Sequence, residues 1–150
     1  MNPTLGGGLV ATWEISPVLP SGLSLLNGVI SGTSAVNLSQ TTYAIWANNT
    51  GGSASTTINI TINEPVATFS YSPSTVVFTR GVSITNMTPN ISGGFAANWD
   101  IDVDLPYGLT FDNGVVSGTP QVNMTETIYT IWANNTGGSV STTIKITINE

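Results

Sequence analysis

The sequence predicts an all-β protein made of tandem antiparallel sandwich modules, and three observations predict it. Shifted by 86 positions, the chain aligns on itself without a gap, residues 1–64 matching 87–150 with 39 identities. Self-similarity at a fixed period marks a repeat architecture. Apolar residues alternate with Thr, Ser, Asp and Lys at period two, as in half-buried strands, and no segment repeats them at 3.6. Gly, Pro and Asn punctuate these segments at short intervals, the spacing of a sandwich.

The repeat fixes the unit. Trp13 falls on Trp99, Leu19-Pro20 on Leu105-Pro106, Gly32 on Gly118 and Trp46 on Trp132. Residues 65–86 have no counterpart, so a complete module spans 65–150, and 1–64 is the same module lacking its first two strands. Those strands read as "ATFSYS" (67–72) and "STVVFTRGVSIT" (74–85), rich in β-branched and aromatic residues and broken by Pro73 and Gly81. Next, "NWDIDVD" (98–104) alternates strictly, with Trp99, Ile101 and Val103 on one face and Asp100, Asp102 and Asp104 on the other. Asn113-Gly114 separates "LTFD" from "VVSG", and Asn27-Gly28 stands in the same place in the first copy. A type I′ hairpin turn needs positive φ at both central residues, which Asn-Gly supplies. "TIYTIWANN" (127–135) and "VSTTIKITIN" (140–149) form a second hairpin, with Ile144, Ile146 and Ile148 toward the core and Thr143, Lys145 and Thr147 toward water. About seven strands fit a complete module of this type.

The missing strands have an energetic consequence. Four or five core side chains at ~2 kcal/mol each amount to roughly 10 kcal/mol, against whole-domain stabilities of about 5–15 kcal/mol. Residues 1–64 are therefore expected not to fold alone, the gap being filled by an upstream stretch or by a strand of another chain.

Composition excludes several functions. The 150 residues contain no cysteine and no histidine, and two basic residues, Arg80 and Lys145, against eight acids. This removes disulfides, thiolate metal sites and the commonest general base. Nucleic acid and anionic membranes both require clusters of Lys or Arg, so neither is expected as a partner. No apolar run reaches the ~18 residues of a membrane-spanning helix. The opening "MNPTLGGGLV" lacks a basic region followed by an apolar core, so an export signal is expected outside this segment. Elbow, P-loop and zinc motifs are absent. Asp112 and Glu126 form a carboxylate pair by composition alone, but Leu26 and Gln40 replace them in the first copy, and no catalytic residue is assigned.

The run "LPYGLTFDNGVVSGTP" (105–120) followed by "YTIWANNTGGSVSTTIKITI" (129–148) resembles the immunoglobulin-like (He-PIG) repeat, whose pattern is close to LP-x-GL…G-x-(I/V)-SGTP and then YT-x-x-A-x-N-x-GG-S. That family is related to dystroglycan-type cadherin-like domains. The resemblance covers nearly all of 65–150, and 1–64 without its front. It implies tandem Ig-like or cadherin-like antiparallel β-sandwich modules, the first N-terminally incomplete, strung in large surface or secreted proteins and acting in adhesion, spacing or stalk building without an active site. Ser34 departs from the motif proline that Pro120 supplies, and Trp46 and Trp132 stand where a small residue is commoner.

Candidate sites follow from the strand register. Alternation turns Tyr43, Ile45 and Ala47 inward and Trp46 outward, opposite Ser55 or Thr57; Trp132 is equivalent. An exposed tryptophan can stack on a sugar or a partner side chain, or simply cover threonine methyls on its own sheet. Trp13 and Trp99 are expected in the core. Asp100, Asp102 and Asp104 form an acidic comb, replaced by Glu14, Ser16 and Val18 in the first copy. Alternate strand residues stand ~6.6–7 Å apart, too far to share one calcium without loops from elsewhere, so a solvated face is the plainer reading. Glu64, at the junction Asn63-Glu64-Pro65, is a calcium candidate of the kind found between cadherin-like modules, or part of a short linker stiffened by Pro65. Seven Asn-X-Ser/Thr sequons, at Asn37, Asn48, Asn59, Asn86, Asn90, Asn123 and Asn134, are acceptors if the host glycosylates, and Asn59 would share the outer face with Trp46. Lys145 points outward and its counterpart is Asn59, so an isopeptide crosslink is not expected.

The residues thus point to a non-catalytic spacer, stalk or adhesion module at the cell surface or in the extracellular space, whose partners are neighbouring repeats. The alternative is a module holding glycan or protein on the sheet face around Trp46 and Trp132, with or without calcium at the junction. No cofactor other than that calcium is called for.

Overall fold

The computed structural model describes residues 6–150. They are all strand, turn and loop, and they divide into two compact units with the boundary after Asn63. Glu64 sits with the second unit, where its N–H donates to Thr136 Oγ1 at 3.0 Å.

The second unit has eight strands: β6 (Ala67–Ser70), β7 (Thr75–Thr79), β8 (Asn90–Gly93), β9 (Asn98–Ile101), β10 (Leu109–Asp112), β11 (Val115–Gly118), β12 (Met124–Asn135) and β13 (Gly138–Asn149). The main sheet runs β7-β13-β12-β9, with β7 parallel to β13 and the other pairs antiparallel. Two ribbons, β6-β8 and β10-β11, complete the unit. Period-two side chains explain its core. Tyr129 and Ile131 of β12 and Ile144, Ile146 and Ile148 of β13 point inward and meet Tyr71, Met87, Leu109 and Val116. The three isoleucines are at most 1% exposed, and each such burial stabilises by about 1.5–3 kcal/mol. A smaller cluster of Ala67, Ala96 and Ala133 sits beside it, flanked by Phe69 and Trp99. Those two rings meet edge to face, centroids 4.8 Å apart at 82°, an arrangement the ring quadrupoles favour.

The described part of the first unit has five strands: β1 (Thr12–Ser16), β2 (Leu23–Leu26), β3 (Val29–Gly32), β4 (Leu38–Asn49) and β5 (Gly52–Ile62). They form a sheet β1-β4-β5 and a ribbon β2-β3, in the registers of β9, β12, β13, β10 and β11. Among the described residues nothing pairs with the outer edge of β5, the edge that in β13 carries β7.

Both Asn-Gly turns have the expected positive φ, 50° and 78° at Asn27-Gly28 and 47° and 79° at Asn113-Gly114. The second glycine has a further duty. A Cβ on Gly114 would lie 2.8 Å from the Trp99 ring, and one on Gly28 would lie 2.6 Å from the Trp13 ring. Each turn therefore folds down onto a tryptophan.

Three expectations need correction. The strand read over 98–104 stops at Ile101: Asp102 still donates to Thr130 O at 3.0 Å, but the chain then bends away and leaves Val103 51% exposed. Three aspartates and a proline at 106 are poor strand material, and alternation alone did not register this. The strand read over 74–85 stops at Thr79, where Gly81 at φ +77° turns the chain; beyond it Ile84 N–H donates to Gly118 O, and Met87 and Val116 exchange two backbone hydrogen bonds. An eighth strand, β8, was not foreseen, because its four residues are all exposed and carry no alternation.

Candidate functional site

The main sheet of each unit has an outer face of Thr, Ser and Asn with one tryptophan at its centre. In the first unit Trp46 is paired with Ser55 on β5 and Glu14 on β1. In the second, Trp132 is paired with Ser141 on β13 and Asp100 on β9. Both rings are half-buried. Two residues on, Asn48 Nδ2 donates to Glu14 Oε1 at 3.2 Å, and Asn134 Nδ2 donates to Asp100 Oδ2 at 2.7 Å. Ser53 Oγ donates in turn to Asn48 Oδ1 at 2.5 Å. The same constellation, an indole flanked by a carboxylate and an amide that hold one another, therefore occurs once per unit. The sequence reading found the tryptophans but not the polar frame, since it grouped Asp100 with its neighbours along the strand. The available signal was that an acid stands at both 14 and 100 while 16 and 18 lack one.

The acidic comb does not converge. Asp100 is engaged with Asn134, Asp102 lies beyond the end of β9, and Asp104 is exposed in the following loop. Among the described residues no three acidic side chains gather at metal-holding distance, so the structure does not bring Glu64, Asp100, Asp102 and Asp104 together as a ligand set. Of the sequon asparagines, Asn37, Asn59, Asn86, Asn90 and Asn123 are exposed, while Asn48 and Asn134 are half-buried with their amides committed to the acids. Asn59 lies on the outer face with Trp46, where its Oδ1 accepts from Thr42 at 2.7 Å.

Trp99 is partly buried and packs on the core. Trp13 is half-buried too, but it lines an open groove of about 480 Å³ with Gly6, Gly8, Val10, Ile45 and Ala47. Ion pairs are peripheral: Lys145 to Glu126 at 3.6 Å and Arg80 to Glu150 at 3.5 Å, all half to fully exposed. Surface pairs of this kind contribute at most about 1 kcal/mol. Two phenols are shifted. Burial pushes Tyr71 well above the ordinary tyrosine value, and its hydroxyl donates to Gly114 O. Burial, helped by the negative charge of Asp102, also raises Tyr129. Among the described residues the buried side chains that carry a polar group are the tyrosines Tyr43, Tyr71 and Tyr129.

No curated protein matches the chain in sequence. Among solved structures, Drosophila OTK extracellular domains 3–5 are similar at a TM-score of 0.51 and 16% identity, over 92% of this chain and 51% of that one. The eight N-terminal Ig domains of Down Syndrome Cell Adhesion Molecule (DSCAM) are similar at a TM-score of 0.57 and 13% identity, over 92% of this chain and 20% of that one. This chain thus spans about half or less of those structures. At such identities the likeness shows the fold alone, an immunoglobulin-like sandwich. The family described as "Putative Ig domain", He-PIG, matches residues 65–149, so the chain belongs to the He-PIG family of immunoglobulin-like domains.

Proposed function

We propose that the chain is a non-catalytic run of Ig-like repeats that spaces or presents other parts of a cell-surface or secreted protein, and that its regular neighbours are further repeats. The observation that carries this reading is the repetition of one strand register in two units, each with a nearly uncharged Thr/Ser/Asn outer face. Such a face stays hydrated with few charges. Hydroxyl and amide groups compete poorly for nonspecific ionic contacts, which suits a passive spacer. The similar structures, extracellular domains of OTK and Ig domains of a cell adhesion molecule, support the surface setting. Among the described residues no helix is long and apolar enough to cross a membrane.

A second reading is favoured by one specific observation, the tryptophan–acid–amide constellation repeated at Trp46 and Trp132. An indole beside a carboxylate and an amide has the composition of a sugar-binding patch, with one apolar surface for stacking and two groups for hydroxyls. Titrating the chain with soluble oligosaccharides while following tryptophan emission tests both readings. A spacer gives no saturable shift. A binder gives one that Trp132→Ala reduces to about half its amplitude and that the double change with Trp46→Ala abolishes. Repeating the melt with added calcium tests the junction: the spacer reading expects no rise in Tm.

A further inference from the structure

The first unit carries an acceptor site whose shape is written out by the second. In the second unit β7 pairs in parallel with β13, Lys145 opposite Thr75 through Asn149 opposite Thr79. Lys145 N–H donates to Ser74 O and Arg80 N–H donates to Asn149 O, both at 2.8 Å. The counterparts on β5 are Asn59, Thr61 and Asn63, on an edge with no strand beside it among the described residues. In the second unit Ala67 and Phe69 of β6 pack on Ala96, Ala133 and Trp99. Their counterparts Val10, Ala47 and Trp13 line the open groove of about 480 Å³.

Three further residues fit the same occupant. Asn135 Nδ2 donates to two carbonyls, Phe95 O at 2.9 Å and Pro65 O at 2.8 Å. Asn49 Nδ2 makes the equivalent of the first, to Leu9 O at 3.1 Å, and the second has no equivalent among the described residues. A Cβ on Gly94 would meet Pro65 O at 1.8 Å, and one on Gly137 would meet Glu64 O at 2.1 Å, so both are glycine because a backbone passes there. Gly8 and Gly51 stand at the equivalent places, yet a Cβ on them would meet nothing closer than an Asn49 side-chain atom at 3.4 and 3.2 Å. Among the described residues, the first unit thus keeps an edge, a groove, an amide donor and two clearances whose use is seen in the second unit.

From this we infer that the first unit is a strand acceptor, and that its occupant is an extended segment with the chemistry of Val66–Thr79. That segment places Ala- and Phe-type side chains in the groove over Trp13. Its Thr-Val-Val-Phe-Thr part then adds in parallel to β5, with Val76- and Phe78-type side chains turned onto Ile58, Ile60 and Ile62. This is β-augmentation: main-chain hydrogen bonds along the edge hold the strand, and alternate side chains in the groove select it.

The test uses the whole chain and a synthetic peptide of residues 66–80, "VATFSYSPSTVVFTR". The expected result is saturable one-to-one binding, an altered Trp13 emission, and amide exchange slowed at least about tenfold at Asn59, Thr61 and Asn63. Thr61→Pro removes an edge N–H opposite the irregular stretch of β4, where a proline is tolerated. Gly8→Ala fills the clearance. Each variant should bind the peptide at least about tenfold more weakly while leaving the melt of the free chain unchanged. The inference is overturned if the peptide does not bind, if a scrambled peptide binds equally, or if both variants bind like the parent. It is also overturned if the chain dimerises through β5 in a way that Thr61→Pro dissolves and the peptide does not compete, since the occupant would then be a second copy.

Discussion

The two units share 39 of 64 aligned residues and the same strand registers, yet their cores differ. Ile144, Ile146 and Ile148 are sealed, while the same residues in the first unit, Ile58, Ile60 and Ile62, are half-buried. Val116 is fully buried and its counterpart Ile30 is not; Leu109 is buried and Leu23 is not. The side chains, the turns and the ladder are equivalent, so what differs is the cover. The second unit has the segment 65–86, whose β6 pairs with β8 and whose β7 extends the main sheet, with Phe69, Tyr71, Val76 and Phe78 reaching the core. The hairpins therefore define the register, and the leading segment with β6 and β7 closes the core. A strand whose inner face is uncovered keeps its hydrogen bonds but contributes little hydrophobic stabilisation.

The widest break in the comparison comes from separating the units. Residues 64–150 expressed alone should give one cooperative melt, and residues 1–63 alone should give none, a difference of roughly 10 kcal/mol from the missing core side chains. A sharp transition in the short piece, followed by near-ultraviolet circular dichroism, would dispose of the claim. The next largest effect is one substitution made twice. Ile146→Ala should cost about 4 kcal/mol, in the upper range for a sealed isoleucine, and Ile60→Ala less than half of that. Chemical denaturation of the two variants reads the difference directly, and equal costs would mean that the cores are equally closed. A matched glycine pair is smaller and cleaner. Gly94→Ala should destabilise by about 2 kcal/mol, because its methyl is driven into Pro65 O. Gly8→Ala, whose methyl would meet only Asn49 Nδ2 in ordinary contact at 3.4 Å, should be neutral.

The smallest effect belongs to Tyr71, which has no partner in the first unit. Tyr71→Phe removes the hydroxyl bond to Gly114 O and should cost about 1 kcal/mol at neutral pH. The sign of its pH dependence is fixed. The folded state holds the phenol proton more tightly than the unfolded chain does, so the stabilisation is complete below the ordinary tyrosine value of 10.0 and is lost as pH rises above it. Tyr129 acts in the same direction. Melts at pH 9, 10 and 11 should therefore show stability of the second unit falling, and falling less in the Tyr71→Phe variant.

Much of this was legible because local rules and the fold agree. The period-two pattern put Ile144, Ile146 and Ile148 inside and Trp132 outside, and Asn113-Gly114 announced its own turn. The misses have a common cause. β8 carries no alternation, since it pairs only with the short strand β6 and all four of its residues are exposed. The aspartates of 98–104 do alternate, yet only Asn98–Ile101 have β12 beside them. The frame around Trp132 was also invisible, because Asp100, Trp132 and Asn134 come together through strand pairing across more than 30 positions.

By itself, then, the sequence determined the class of fold, the repeat, the hairpins and the inward face of each long strand, because these depend on neighbours a few residues away. That 1–64 lacks its cover was also legible there, but how the second unit is sealed, with β7 added in parallel to β13 and Phe69 and Tyr71 brought against its isoleucines, was decided by the tertiary structure alone. Burial depends on whether a second layer lies above a strand, and the strand's own residues do not carry that information.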